Sequence, residues 1–332
     1  MPSLINDHVL ATTEHYRQAF STAKPFKHVV IDDFLKSDFA ESLLVKFPTV
    51  SDPTKLVSEF GTPNPKSARS DVRGLAKPFV QIDAYIQSVD FLNLMSNITG
   101  IADLCYDPWY YGAGTHENFH GAGLDAHYDF NIHPQTAYHR RLNAIIYLNK
   151  DWNPDWRGEI SFHTDPWDLD GDVITSVHPS FNRCVIFETT ENSWHSVGVV
   201  NLPKALRHLS RKSFTIYLYT KTRPENEIAV EHGTVYVPPP LPSRIGEGRT
   251  LNADDMADIN TNIHRRHQFL KIMYQKEYRL LSEIQSLKQQ LSMQNQTYTK
   301  ITGSFLYRAI TKTLKLIRRF FPLKIGRQHN FP

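Results

Sequence analysis

Four stretches carry the reading of this chain: LDAHYDF at 124–130, RRLNAIIYLN at 140–149, NSWHSV at 192–197 and SRKSFTIYLYT at 210–220. In the second, Leu142, Ala144 and Ile146 alternate with Asn143, Ile145 and Tyr147, the period of a strand with two different faces. Further short apolar runs follow at GEISFHT, DVITSVHP, NRCVIFET, HSVGVV and RKSFTIYLYT, separated by connectors rich in Asn, Asp, Pro and Gly. Strands this short and this regularly spaced predict a β sandwich or jelly roll, with its core from about 105 to 220.

Within that core, His127 and Asp129 stand two residues apart, so a strand points both at one place while Tyr128 faces away. Two ligands do not hold an ion. A third from a distant strand would complete a two-histidine, one-carboxylate face that leaves coordination positions open on iron(II), and His195 is the candidate. The chain also contains His163-Thr-Asp165, the same pattern. From His163 only 32 residues remain before His195, against 68 from His127, and His163 sits in strong strand sequence, so it is read as a wall residue. Arg211 opens the strand after His195 and suits a bidentate grip on a carboxylate, with Tyr147 offering a hydroxyl. Asn143 and Trp194 are weighed as residues that line the pocket or support a ligand from behind, but ordinary packing or a backbone hydrogen bond is the stronger reading for each.

As an ordered set, HYDF, RRLNAIIYLNKDW, GEISF, FNRCVIFET, WHSVG and RKSFTIYLYT resemble the prolyl 4-hydroxylase-like branch of the iron(II)- and 2-oxoglutarate-dependent oxygenases. The similarity runs from about Lys27 to Thr220, and HVVIDDFL resembles that group's N-terminal strand. The resemblance implies a distorted double-stranded β-helix, with iron held by His127, Asp129 and His195 and the 2-oxoglutarate carboxylate by Arg211 and Tyr147. It further implies O2 as oxidant, ascorbate as reductant, and hydroxylation of a prolyl or other amino-acid side chain with release of succinate and CO2. One departure is that sixteen residues separate His195 from Arg211, more than is usual, which leaves Arg207 as a competing anchor. The primary substrate is not written in the sequence: a peptide, an amino acid, a glycan or a lipid-linked intermediate would all suit. A non-catalytic scaffold acting through its tail is the reading from another class.

Around the core, 332 residues with 40% hydrophobic content allow a substantial interior, and no run is apolar enough to span a membrane. The start lacks the pattern of a secretory signal, and Cys105 and Cys184 suggest neither a disulfide framework nor a zinc site, so a cytoplasmic protein is expected. No nucleic-acid partner is indicated. Helices are expected before the β core, including one from 77 to 99, and a long surface loop from 51 to 73. The oxygenase domain is expected to occupy 1–236, followed by a proline-rich linker over 237–250.

Asn252 with Asp255 marks the start of a long helix over 251–302. Its positions 259, 263, 266, 270, 273, 277, 280, 284, 287 and 291 step by fours and threes and are apolar except Arg266 and Glu277, a seam that would either pair two copies as a coiled coil or dock the helix back on its own domain. The remainder, 303–332, reads as a basic amphipathic tail suited to peripheral contact with the inner face of a membrane or to an acidic partner, the plainer reading being an ordinary helix with a solvated basic face. Residues 251–332 hold 14 Lys and Arg against 5 Asp and Glu, while the rest of the chain is mildly acidic.

Overall fold

The computed structural model describes residues 2–53, 56, 65–242 and 244–320. Two antiparallel sheets form its centre, built from β1 (His28–Ile31), β2 (Lys66–Arg69), β3 (Cys105–Tyr106), β4 (Gly114–Asn118), β5 (Leu124–Tyr128), β6 (His139–Tyr147), β7 (Ile160–His163), β8 (Ile174–Val177), β9 (Cys184–Glu188), β10 (His195–Val197), β11 (Arg211–Thr220) and β12 (Val235–Val237). The larger sheet runs β1-β9-β6-β11-β4-β2 with β3 also on β11, and the smaller runs β12-β5-β10-β7-β8. Chain neighbours repeatedly land in opposite sheets, which is the jelly-roll pattern.

The alternation seen in the sequence decides which face does what. Leu142, Ala144 and Ile146 of β6, Cys184 and Ile186 of β9, and Phe214, Ile216 and Leu218 of β11 turn to one side and join a core with five helices. Those helices are α1 (Asp7–Ala11), α2 (Thr13–Thr22), α3 (Ser37–Val45), α4 (Lys77–Ile86) and α5 (Val89–Thr99). Phe214 packs against Phe79 of α4 at 5.9 Å between rings, so Phe214→Ala would cost about 3–5 kcal/mol. The alternate residues Tyr147, Val185 and Phe187 turn the other way and meet Ile160, Phe162 and Val177 of the smaller sheet.

Several local differences from expectation have plain causes. The helix expected over 77–99 is two, because the Ser88 hydroxyl accepts from the amide of Phe91 and starts α5 afresh. Gly100 then ends α5 in the left-handed conformation, as a glycine can. The loop expected over 51–73 lies partly outside the described residues, and Lys66–Arg69 within it is an edge strand pairing with β4. Both cysteines are free.

The first compact unit runs Met1–Asn262, past the boundary expected at 236. β12 pairs with β5, setting Tyr236 opposite His127. Farther on, Arg244 and Arg249 converge on Asp255, each at 3.0 Å, and the Asn262 side chain donates to the Pro239 carbonyl at 2.7 Å. Asn252 and Asp255 exchange amide-to-side-chain bonds of 2.9 and 3.1 Å, the reciprocal cap that starts α6 (Ala253–Gly303). The second unit begins at Ile263 and contains the rest of α6 and α7 (Phe305–Phe320).

Candidate metal centre

β5 and β10 lie side by side with His127 directly opposite His195, so both side chains leave the sheet toward the same face, their ring centroids 4.2 Å apart. Each imidazole is oriented by its own chain. His127 Nδ1 donates to the carbonyl of Asp125 and His195 Nδ1 to that of Ser193, both at 2.8 Å. With that nitrogen protonated, the lone pair sits on Nε2 and points into the space between the sheets.

Asp129 follows the end of β5 and closes the group. Its carboxylate oxygens lie 3.8 Å from His127 Nε2 and 3.6 Å from His195 Nε2, too far for hydrogen bonds. The three donor atoms nonetheless all lie within 4.8 Å of one another. Three inward ligand groups that converge without bonding each other fit a cation between them.

Two residues hold the carboxylate in place. Asp129 Oδ2 accepts from Asn143 Nδ2 at 2.8 Å and is ion-paired with Arg140 Nη2 at 3.0 Å, while Arg140 donates to Asn143 Oδ1 through Nε and Nη2. The Arg140 guanidinium is sandwiched between Tyr217, at 3.5 Å, and Phe130, at 4.5 Å, and is 1% exposed.

Electrostatics put these groups in the protonation states that a metal needs. Burial, reinforced by His195, pushes the His127 imidazole down to about 3, and burial also lowers His195. Burial alone would raise the Asp129 carboxyl, but Arg140, with the two histidines and Asn143 behind it, holds it well below the usual carboxylate range.

Arg211 and Tyr147 come together as well, from adjacent strands with Ser213 opposite Tyr147. The Arg211 guanidinium lies 4.9 Å from the Tyr147 ring, and Nε donates to the Gly158 carbonyl at 2.6 Å. Gly158 has φ +78° and a side chain there would meet Arg211 at 3.0 Å, so glycine makes room for the cation. The hydroxyls of Tyr147 and of Thr215, on the same face of β11, are buried without a hydrogen-bond partner among the described residues. Leaving such a group unpaired costs about 1–3 kcal/mol, so a buried cation beside orphaned hydroxyls describes a place prepared for an anionic ligand. Arg207, the rival anchor, is exposed at the end of the short turn Lys204–Leu206.

The remaining motif residues go elsewhere. His163 bonds Asp172 through Nδ1 at 2.6 Å and Ser196 Oγ through Nε2 at 2.8 Å, so both of its nitrogens are engaged away from Asp165. Trp194 packs edge-on to Tyr128 at 4.6 Å. Asn143, read from sequence as a packing residue, is a carboxylate anchor.

Two residues of the site were not anticipated. Tyr236 of β12 stacks on His127 at 5.2 Å between rings, and Arg140 pairs with Asp129. Parity along β6 groups Arg140 with Leu142, on the helix side. The pairing with β11, however, passes from Leu142↔Leu218 to Arg140↔Tyr219, so Arg141 is skipped. That bulge reverses the phase and turns Arg140 inward.

Part of the chain is similar to known proteins. Residues 114–219 match the model of the 2OG-Fe(II) oxygenase superfamily. Over 223 residues, 66% of this chain, the sequence is 27% identical to prolyl 3-hydroxylase OGFOD1 of Mus musculus, of which the match spans only 36%. Among solved structures, a prolyl 4-hydroxylase from Phytophthora capsici is 20% identical with a TM-score of 0.44, covering 81% of this chain and 77% of that one. A Pseudomonas putida prolyl-4-hydroxylase is 18% identical with a TM-score of 0.40, covering 63% of this chain and 99% of that one. The match to the 2OG-Fe(II) oxygenase superfamily, over residues 114–219, spans the strands that carry His127, His195 and Arg211.

Proposed function

We propose that the protein is an iron(II)- and 2-oxoglutarate-dependent dioxygenase that hydroxylates a prolyl or other amino-acid side chain, with ascorbate as reductant. The observation that carries this reading is the convergence of two neutral Nε2 atoms and one ionised carboxylate in a buried space, with a buried arginine and an unpaired tyrosine hydroxyl on the facing sheet. His127, Asp129 and His195 would hold the iron, and Arg211 with Tyr147 the far carboxylate of 2-oxoglutarate. Bound there, iron(II) supplies the oxygen chemistry of the superfamily, in which one atom of O2 enters 2-oxoglutarate to give succinate and CO2 and the other enters the substrate.

The chain's own residues orient and exclude water. The Asp125 and Ser193 carbonyls keep each histidine lone pair aimed inward. Arg140 and Asn143 occupy Oδ2 of Asp129, leaving Oδ1 toward His127. Phe187, packed 4.8 Å from the His195 ring, walls one side against solvent. A prolyl substrate is supported by the likeness to prolyl 3-hydroxylase OGFOD1, and the seam along α6 supports pairing of two copies.

Anaerobic addition of iron(II) and 2-oxoglutarate should produce the weak visible charge-transfer band of a chelated keto acid. An absent band in the native protein, or one undiminished in His127→Ala, would overturn the reading. Succinate release that depends on added proline-containing peptides would test the substrate class.

A further inference from the structure

We infer that α7 is a surface-lying helix that binds the anionic headgroups of a lipid bilayer. The inference does not depend on the oxygenase reading. α7 begins cleanly: Ser304 accepts from the amide of Tyr307 just after α6 has ended at Gly303. At about 100° per residue, Leu306, Ile310, Leu314 and Ile317 fall along one line, flanked by Tyr307 and Leu316. Arg308, Lys312, Lys315 and Arg319 fall on the opposite half, and Phe305–Phe320 contains no acidic residue at all. Two positions depart from that division: Phe305 falls beside Lys312 on the basic side, and Arg318 falls beside Tyr307.

The apolar half stands in the open. Leu306 is 70% exposed, Ile310 51% and Leu314 54%. A solvated helix has no reason to gather these side chains on one side. No helix of the described residues is long and apolar enough to cross a membrane, and α7 at sixteen residues is about 24 Å long. It suits lying in the plane of a surface.

The charge selects which surface. A second copy would satisfy the apolar face alone and leave two uniformly positive faces unmatched. An anionic lipid surface meets both halves at once: headgroups accept the lysines and arginines while the apolar side chains sink to the acyl boundary.

The test uses the whole chain with vesicles of phosphatidylcholine alone or mixed with phosphatidylserine. Flotation with the mixed vesicles, little with the neutral ones, and loss as salt is raised is the expected result. Lys312→Gln and Lys315→Gln should each weaken partition about fivefold, and Leu314→Trp should show a blue-shifted emission on the vesicles where Lys315→Trp does not. Equal flotation on neutral vesicles, insensitivity to both glutamine variants, or unshifted Leu314→Trp emission would overturn the proposal. So would a Leu314→Asp variant that dissociates a dimer yet floats normally, since the apolar face would then belong to a second copy. Binding to soluble polyglutamate without flotation would assign the basic face to an acidic polypeptide and overturn it equally.

Discussion

In the unit Met1–Asn262 the side chains with chemistry to offer are turned inward, and in α7 they are turned outward. His127, Arg140, Tyr147 and Arg211 are each 3% exposed or less, whereas Leu280 and Leu287 of α6 and Leu314 of α7 are 46%, 56% and 54% exposed. In the first unit the fold itself gathers distant residues, so that a strand register decides which groups meet. In the helices past Asn262 neighbours along the chain already share a face, so sequence order alone gathers the apolar side chains.

The largest effect that would separate the two is removal of a candidate ligand. His127→Ala should lower iron(II) affinity and turnover by more than the roughly 10–100-fold that loss of an outer partner costs, while truncation after Asn262 should leave both unchanged on a soluble substrate. Parallel metal titrations would check this, and truncation that abolished metal binding would end the idea of independent halves.

Next comes the outer partner itself. Arg140→Leu is expected to reduce metal affinity by about 10–100-fold, and Arg140→Lys to recover little, because the fork shared between Asp129 and Asn143 and the aromatic sandwich need a planar cation. Arg211→Ala should raise the KM for 2-oxoglutarate by a similar factor while Arg207→Ala does not. Equal effects in steady-state kinetics would return Arg207 to contention.

A smaller effect is expected with pH. His116, a half-buried residue of β4, and the buried His127 are both held down to about 3, chiefly by loss of solvent, against 6.5 for a free imidazole. Between those values the unfolded chain binds more protons than the folded one, so stability is complete above about 6.5 and falls as pH drops toward 3, by about 1.4 kcal/mol per unit for each group. Urea unfolding of the metal-free protein at several pH values would measure the slope, and a flat profile would show that these histidines are not buried neutral. The helices beyond Asn262 should add nothing to that slope. Smallest of all on the jelly roll is Leu280→Asp in α6, expected to reduce self-association in sedimentation while the unfolding midpoint of the first unit stays in place.

The jelly roll was legible because short apolar strands recur at regular spacing, and the two phases read along Leu142–Tyr147 of β6 are the two faces that the structure buries, one against the helices and one against the smaller sheet. His127, Asp129 and His195 were legible as candidates through spacing alone, and the structure brings them together. Arg140 was not legible. Its phase depends on the skipped residue Arg141, and a bulge is a property of the pairing rather than of either strand. β12 was hidden for a different reason: Val235–Val237 abuts a run of prolines that reads as an exit, and its partner β5 lies about a hundred residues earlier. The edge strand Lys66–Arg69 carries no apolar pattern because it is only partly covered.

The carbonyls that hold His127 and His195 have a consequence for how this domain tolerates change. A histidine oriented by a carboxylate depends on one particular side chain, and drift at that position disarms it. Here the acceptors belong to the main chain, which every residue possesses, so for this purpose positions 125 and 193 can vary widely without turning either ring. Two of the constraints that matter most to the centre would therefore leave no trace in an alignment, and a distant relative could keep them after losing all visible likeness around its histidines.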